Sequence, residues 1–248
     1  MKYLLLLLFI LSSHVNGQKY VFATFPIEPW SINHNNKISG IIPDIANAIA
    51  AKAGISITFK FVPYARMVKE MRNGSVDLAI FSRNPNNDQF VNYLQPIFSQ
   101  NIILLTRKGA KISSIDNLYQ QENIQSIGVL RGANLAPKLV KDKNIIKYPF
   151  TDFPQGLKML HAKRLDALLI IDKGSLYESN KLGLTNAFEF PGFPIKRLDA
   201  WLQVSKKSRH AKSFPYKATN QATKELASNG VFKQIMNKYI SNTGILDK

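Results

Sequence analysis

Apolar positions along the chain fall into two kinds of stretch that alternate. Residues 20–24 (YVFAT), 55–62 and 76–81 (VDLAIF) are rich in β-branched and aromatic side chains and predict strands. The stretches between them carry apolar residues at helical spacing. The first opens at Pro43 and Asp44, places Ile45, Ala48, Ile49 and Ala53 on one face, and stops at Gly54, with Asp44 expected to cap it. The second covers 64–73, with Met67, Val68 and Met71 inward and Gly74 as its stop. Residues 25–39, between the first strand and the first helix, read as a polar loop. The order β-α-β-α-β predicts a parallel sheet.

A turn-rich stretch, 82–89, then leads to an extended run at 101–107, after which the rhythm restarts. Residues 126–130 predict a strand, 131–134 a turn, 135–141 a short helix, 145–148 a strand and 153–162 a helix. Residues 167–171 (ALLII) predict a buried strand. A second extended run at 199–205 precedes an amphipathic segment, 219–240, broken at Asn229-Gly230. Two half-chains with the same rhythm and no sequence repeat predict two lobes. With both extended runs crossing between them, the first lobe comprises 18–106 and 199–248 and the second 107–198.

The N-terminus changes the picture of where this fold works. Lys2 precedes an apolar run over residues 4–11, and Val15-Asn16-Gly17 offers small residues for cleavage, so residues 1–17 read as a secretory signal peptide. The apolar run is far short of the roughly 20 residues of a membrane span. The chain contains no cysteine, which excludes disulfides, thiolate metal sites and a lipid-modified N-terminal cysteine. A periplasmic protein of a Gram-negative bacterium is the expectation. Lysine and arginine total 33 against 16 aspartate and glutamate, a formal charge of +17. The basic residues are spread along the chain, with a modest cluster at Lys206-Lys207-Ser208-Arg209, and export argues against a nucleic-acid partner.

Several blocks resemble a known family. Gly40-Ile41-Ile42-Pro43-Asp44, running through a helix to Gly54, is similar to the opening of bacterial extracellular solute-binding proteins of the polar amino-acid type, family 3. Val62-Pro63-Tyr64-Ala65-Arg66, with Asn73-Gly74-Ser75-Val76-Asp77, resembles the next block. Gly128-Val129-Leu130-Arg131-Gly132 resembles the turn opening the second lobe, Arg164-Leu165-Asp166 with the strand to Asp172 its later strand, and residues 230–239 the final helix. The resemblance implies an α/β, two-lobed type II periplasmic-binding-protein fold with two crossover strands. It implies a small polar solute, an amino acid or related compound, held in the cleft for an inner-membrane ABC permease by a monomeric protein, with no chemistry, cofactor or metal.

In open α/β sheets ligands sit beyond the carboxyl ends of the strands. That rule selects residues 25–30, 64–66, 82–84 and 131–134, and Asp172. Within them Phe25, Trp30 and Tyr64 are candidates to stack on a ligand. Arg66, Arg83 and Arg131 are candidate partners for a negative group, with Ser82 beside them. Asn134 is expected to cap the following helix and to donate through its backbone. In the resembling proteins an aspartate at the position of Asp172 accepts the ligand's amino group. Those proteins usually carry Thr-Pro-x-Arg, with the arginine gripping the ligand carboxylate, where this sequence has Asn87; the departure weakens the case for a free α-amino acid. Two other readings stand beside capture: a periplasmic enzyme similar to cyclohexadienyl dehydratases, with Glu28 and Glu178 as its carboxylates, and a soluble sensor for a membrane kinase or cyclase. The histidines show no metal-ligand spacing, and no P-loop or dinucleotide fingerprint is present.

Overall fold

The computed structural model describes residues 18–110, 126–133 and 135–240. Strand β1 (Lys19–Thr24) lies between β4 (Ser56–Phe61) and β5 (Leu78–Ser82), parallel to both. Helices α1 (Ile41–Ala53) and α2 (Tyr64–Asn73) make the connections, as the alternating pattern predicts. In the second half β7 (Ser126–Leu130) lies between β8 (Ile146–Phe150) and β9 (Ala167–Ile171), again parallel to both. Three helices accompany these strands: α3 (Pro137–Lys141), α4 (Phe153–His161) and α5 (Asp172–Lys181).

Two long strands, β6 (Val91–Thr106) and β10 (Phe193–Ser205), join these halves into one eight-stranded sheet of order β4-β1-β5-β10-β6-β9-β7-β8. They run antiparallel to each other. The C-terminal part of β10 pairs with β5, and the C-terminal part of β6 pairs with β9. Each strand therefore begins in one lobe and ends in the other, passing between them around Phe98–Asn101 and Arg197–Ala200. Both are longer than the extended runs read from sequence. The first half of β6 contains Asn92, Gln95 and Pro96, which hide a strand. It pairs on one side only, with β10, beside a register shift, which is where a proline fits a sheet.

The expected loop at 25–39 contains a small hairpin, β2 (Ile32–His34) with β3 (Lys37–Ser39). Asn35 and Asn36 make its turn with φ of 49° and 61°, a left-handed conformation that asparagine tolerates well. Helix α1 begins three residues before Asp44, because a proline in the first turn needs no intrahelical N–H bond. Asp44 is accordingly not its cap: Gly40 is, and Asp44 instead accepts hydrogen bonds from Tyr239 Oη (2.8 Å) and Lys238 Nζ (3.1 Å). Those bonds fasten α7 (Val231–Ile240), which with α6 (Tyr216–Ser228) packs on α1 and returns the chain end to the first lobe.

The core runs through both lobes, with Phe22, Ile80, Leu104, Phe150 and Leu168 all almost fully buried. Asp77, also buried, fastens the 206–210 segment to the first lobe: it accepts from Val21 N (2.6 Å), receives the Ser208 hydroxyl, and lies 3.1 Å from His210 Nδ1. Ser208 and the His210 ring both face this carboxylate rather than each other, which is not the arrangement of a nucleophile with its base.

The same segment packs against the end of α2. Gly74 has φ +82°, and a Cβ there would lie 2.1 Å from the Lys207 carbonyl oxygen; Gly54 has φ +68° with nothing within 4 Å. Gly54→Ala should cost about 1 kcal/mol, from backbone conformation alone. Gly74→Ala must also move backbone and should cost about 3 kcal/mol or more. Urea unfolding of both variants beside the wild type checks this; equal losses would contradict the packing of residues 206–208 on α2.

Candidate functional site

The loops that follow β1, β4, β5, β7 and β9 converge where the two crossover strands pass between lobes. They enclose an inner cavity of about 30 Å³. From the first lobe Phe25, Ile27, Trp30 and Ile42 line it, with Tyr64 at the first position of α2 and Ile80, Phe81 and Ser82 at the end of β5. The crossover strands contribute Phe98, Gln100 and Ala200, and the second lobe Leu130, Ala133, Leu135 and Ile171. About 30 Å³ is room for a few waters and too little for a solute of amino-acid size with the lobes as they stand.

The aromatic residues interlock. Trp30 stacks on Phe98 with ring centroids 4.4 Å apart and planes 15° from parallel. Tyr64 meets Phe25 and Phe81 edge-on, at 5.0 and 6.1 Å. Burial pushes the Tyr64 phenol well above its ordinary range, so it remains a neutral hydroxyl at any physiological pH. Gln100 Nε2 donates to Ser82 Oγ at 2.8 Å, leaving the serine hydrogen free to donate in turn. Trp30 Nε1 is buried and has no hydrogen-bond partner among the described residues.

Among the residues selected from sequence, Phe25, Trp30, Tyr64 and Ser82 come together in this wall. The charged ones stand elsewhere. Arg66 is exposed and donates from Nε to Glu70 Oε1 at 3.0 Å. The Arg83 guanidinium lies over the rings of Tyr93 (4.8 Å) and Trp201 (5.6 Å) and 3.8 Å from Asp88. Arg131 is exposed, its backbone N–H bonded to the Phe150 carbonyl. Asp172 accepts from Asn101 Nδ2 (2.8 Å) and from the backbone N–H of Lys173 (2.7 Å) and Asn101 (3.3 Å). Asn134 lies outside the described residues. Asn87 is buried within the turn after β5 and is not part of the cavity wall.

Sequence reasoning selected the segment holding Ile27 without singling it out, and missed Ile42, Phe81, Phe98, Gln100, Leu130, Leu135 and Ile171. Phe81, Leu130 and Ile171 lie at or next to the last position of a buried strand, and the rule that ligands sit beyond strand ends could have found them. Phe98 and Gln100 carried no signal, because their part of β6 does not read as a strand.

Two backbone approaches bring the lobes together beside the cavity. A Cβ on Gly132, in the turn after β7, would sit 2.8 Å from the Cβ of Ala65 on α2. A Cβ on Gly174, in the first turn of α5, would lie 3.6 Å from Trp30 Nε1. Glycine at 132 lets the opposing lobe approach closely, whereas at 174 the tight neighbour is Phe153 of the same lobe, 2.9 Å from such a Cβ.

An outer cleft of about 910 Å³ lies between the loop after β1 and helices α4 and α5. Here Lys181 Nζ donates to Glu28 Oε2 at 2.8 Å, an ion pair between the lobes. Glu178, buried beside it, has its carboxyl pushed up to about 7 by burial and by the negative charges of Glu28 and Asp152, against the pull of Lys181 and a backbone hydrogen bond from Glu28. The two glutamates considered for an enzyme are thus neighbours, but they line the outer cleft and not the inner cavity. Among the described residues no group of three histidine, cysteine, aspartate or glutamate side chains is placed to hold a metal ion.

The raised Glu178 value fixes a pH dependence. Its folded-state pKa lies above that of an exposed glutamate, so its contribution is fully present below about pH 4.5 and is lost as pH rises through about 7. Stability should fall between pH 5 and 8 by on the order of 2–3 kcal/mol from this group. Glu178→Gln should flatten that part of the profile. Urea unfolding at several pH values measures both, and an unchanged slope in the variant would rule out Glu178 as the source.

Comparison with known proteins agrees with this architecture. Residues 22–242 match the model of the bacterial extracellular solute-binding proteins, family 3. A probable histidine-binding protein of Neisseria gonorrhoeae is 23% identical over 216 residues, covering 86% of this chain and 79% of the relative. The crystal structure of the substrate-binding protein of an amino acid ABC transporter superposes with a TM-score of 0.72 at 18% identity, covering 90% of this chain and 100% of that one. The AvGluR1 ligand-binding domain in complex with phenylalanine gives 0.76 at 18% identity, covering 90% and 95%. With two lobes, two crossover strands and a match across nearly all of its length, the chain belongs to the bacterial extracellular solute-binding proteins, family 3.

Proposed function

We propose that this protein is exported to the periplasm, closes its lobes over an amino acid or related small solute, and presents the closed complex to an inner-membrane ABC permease as a monomer. The observation that carries this reading is the inner cavity, whose wall is built from both lobes and the crossover strands at once. A solute there touches both halves only when they are closed, so its binding energy favours closure. The substrate-binding protein of an amino acid ABC transporter shares the fold, which supports the transport role. Among the described residues no helix is long and apolar enough to cross a membrane.

Capture without turnover fits the wall of the cavity. Its polar side chains are Tyr64, Ser82, Gln100 and the Trp30 indole, and none is a carboxylate or imidazole suited to move a proton near neutral pH.

The test is a thermal-shift screen of the mature protein against amino acids, amines, organic acids and short peptides. A ligand at about a thousand times its dissociation constant adds roughly 4 kcal/mol, a rise of several degrees. Absence of any stabilisation across those classes would sink the reading. Ala65→Leu, which thickens α2 opposite Gly132 without straining backbone, should weaken the ligand found by about tenfold, or 1.4 kcal/mol, by obstructing closure. Isothermal titration of this variant checks it, and wild-type affinity would mean that the seam between Ala65 and Gly132 does not close on the ligand.

A further inference from the structure

Resting on the capture reading above, we infer that the inner cavity selects its solute by an uncharged aromatic or branched aliphatic group, and that solutes with a charged side chain are excluded. The wall facing that group is made of Trp30, Phe81, Phe98, Leu130, Leu135 and Ile171. Among the described residues no lysine, arginine, histidine, aspartate or glutamate lines it. A charge carried inside would meet only neutral dipoles: the Ser82 hydroxyl and the Gln100 amide, which are bonded to each other, the Tyr64 phenol and the Trp30 indole N–H. An ion buried without a counter-ion loses far more hydration than such dipoles return. An apolar group gains instead, roughly fourfold in affinity for each methylene buried.

The nearby charges do not alter the balance inside, because none of them lines the cavity. Arg66 is bound to Glu70, Arg83 lies over Tyr93 and Trp201, and both oxygens of Asp172 accept hydrogen bonds from Asn101. Arg131 and Asp172 each stand one position beyond a lining residue, Leu130 and Ile171. That places a cation and an anion at the rim. The apolar group arrives either on a zwitterion whose charged end stays at that rim or on an uncharged molecule.

Isothermal titration of the mature protein separates these cases. One set is L-phenylalanine, L-leucine and L-tryptophan, the second is indole, 2-phenylethanol and isobutyramide, and the third is L-arginine, L-histidine and L-glutamate. At least one member of the first two sets should bind at least tenfold more tightly than every member of the third, with a negative heat-capacity change. The first set binding more tightly than the second assigns the solute to amino acids; the reverse assigns it to uncharged molecules. Leu135→Ala should weaken the preferred probe about tenfold, and the milder Ile171→Val about fourfold. A charged-side-chain amino acid binding as tightly as any apolar probe would overturn this selectivity and leave solute capture standing. Silence from all three sets, together with a blank thermal-shift screen, would overturn both.

Discussion

The whole arrangement depends on one antiparallel strand pair. Strands β6 and β10 carry the backbone hydrogen bonds that make the two half-sheets continuous, and each strand exchanges one lobe for the other near its middle. Every other contact across the cleft described above is made by side chains or by close backbone approach, and so can be broken without unravelling a sheet. A ladder of two strands is stiff along its length and compliant to twist and bend. The register shifts around Ala200 and Trp201 put its irregularity beside the cavity. The lobes are therefore tied firmly enough to find each other and loosely enough to separate. The proposed closure rests on that combination, with the solute as the additional contact that decides the balance.

Around that pair, apolar and charged groups are kept apart. The inner cavity at the crossover is aromatic and aliphatic, and its polar groups are neutral. The outer cleft carries the ions, with Glu28, Lys181 and a buried Glu178 whose protonation shifts near neutrality. The Glu28–Lys181 pair is partly exposed, and such pairs contribute little, about 1 kcal/mol or less. The formal charge of +17 belongs mainly to the outer surface and does not describe the cavity.

The fold was largely legible in the sequence because its elements are punctuated by strong local signals. Gly54 and Gly74 end the first two helices in the left-handed conformation, and residues 167–171 are buried along their whole length, as the run ALLII indicates. What failed to show had a physical cause in each case. The Asn35-Asn36 turn makes a hairpin out of residues that look like loop, and Pro96 interrupts a strand that only one neighbour pairs with. The site was legible only in part. Position after a strand end picked out Phe25, Trp30, Tyr64 and Ser82, which line the inner cavity, but it said nothing about which way an arginine or aspartate turns. Arg66 pairs with Glu70 four residues on along α2, which the spacing could have shown, whereas Arg83 and Asp172 turn to Tyr93, Trp201 and Asn101 through tertiary contacts that no local pattern announces.

The proposed function requires that the two lobes hinge on the β6–β10 pair and that a solute holds them shut. Because the chain has no native cysteine, Lys69→Cys on α2 and Lys138→Cys on α3 give two unique positions for spin labels, one per lobe. Pulsed electron–electron resonance on the doubly labelled protein should show a broad or bimodal distance distribution without solute. A stabilising solute should collapse it onto its short component. A single narrow distance, unchanged by a solute that demonstrably binds, would contradict the account.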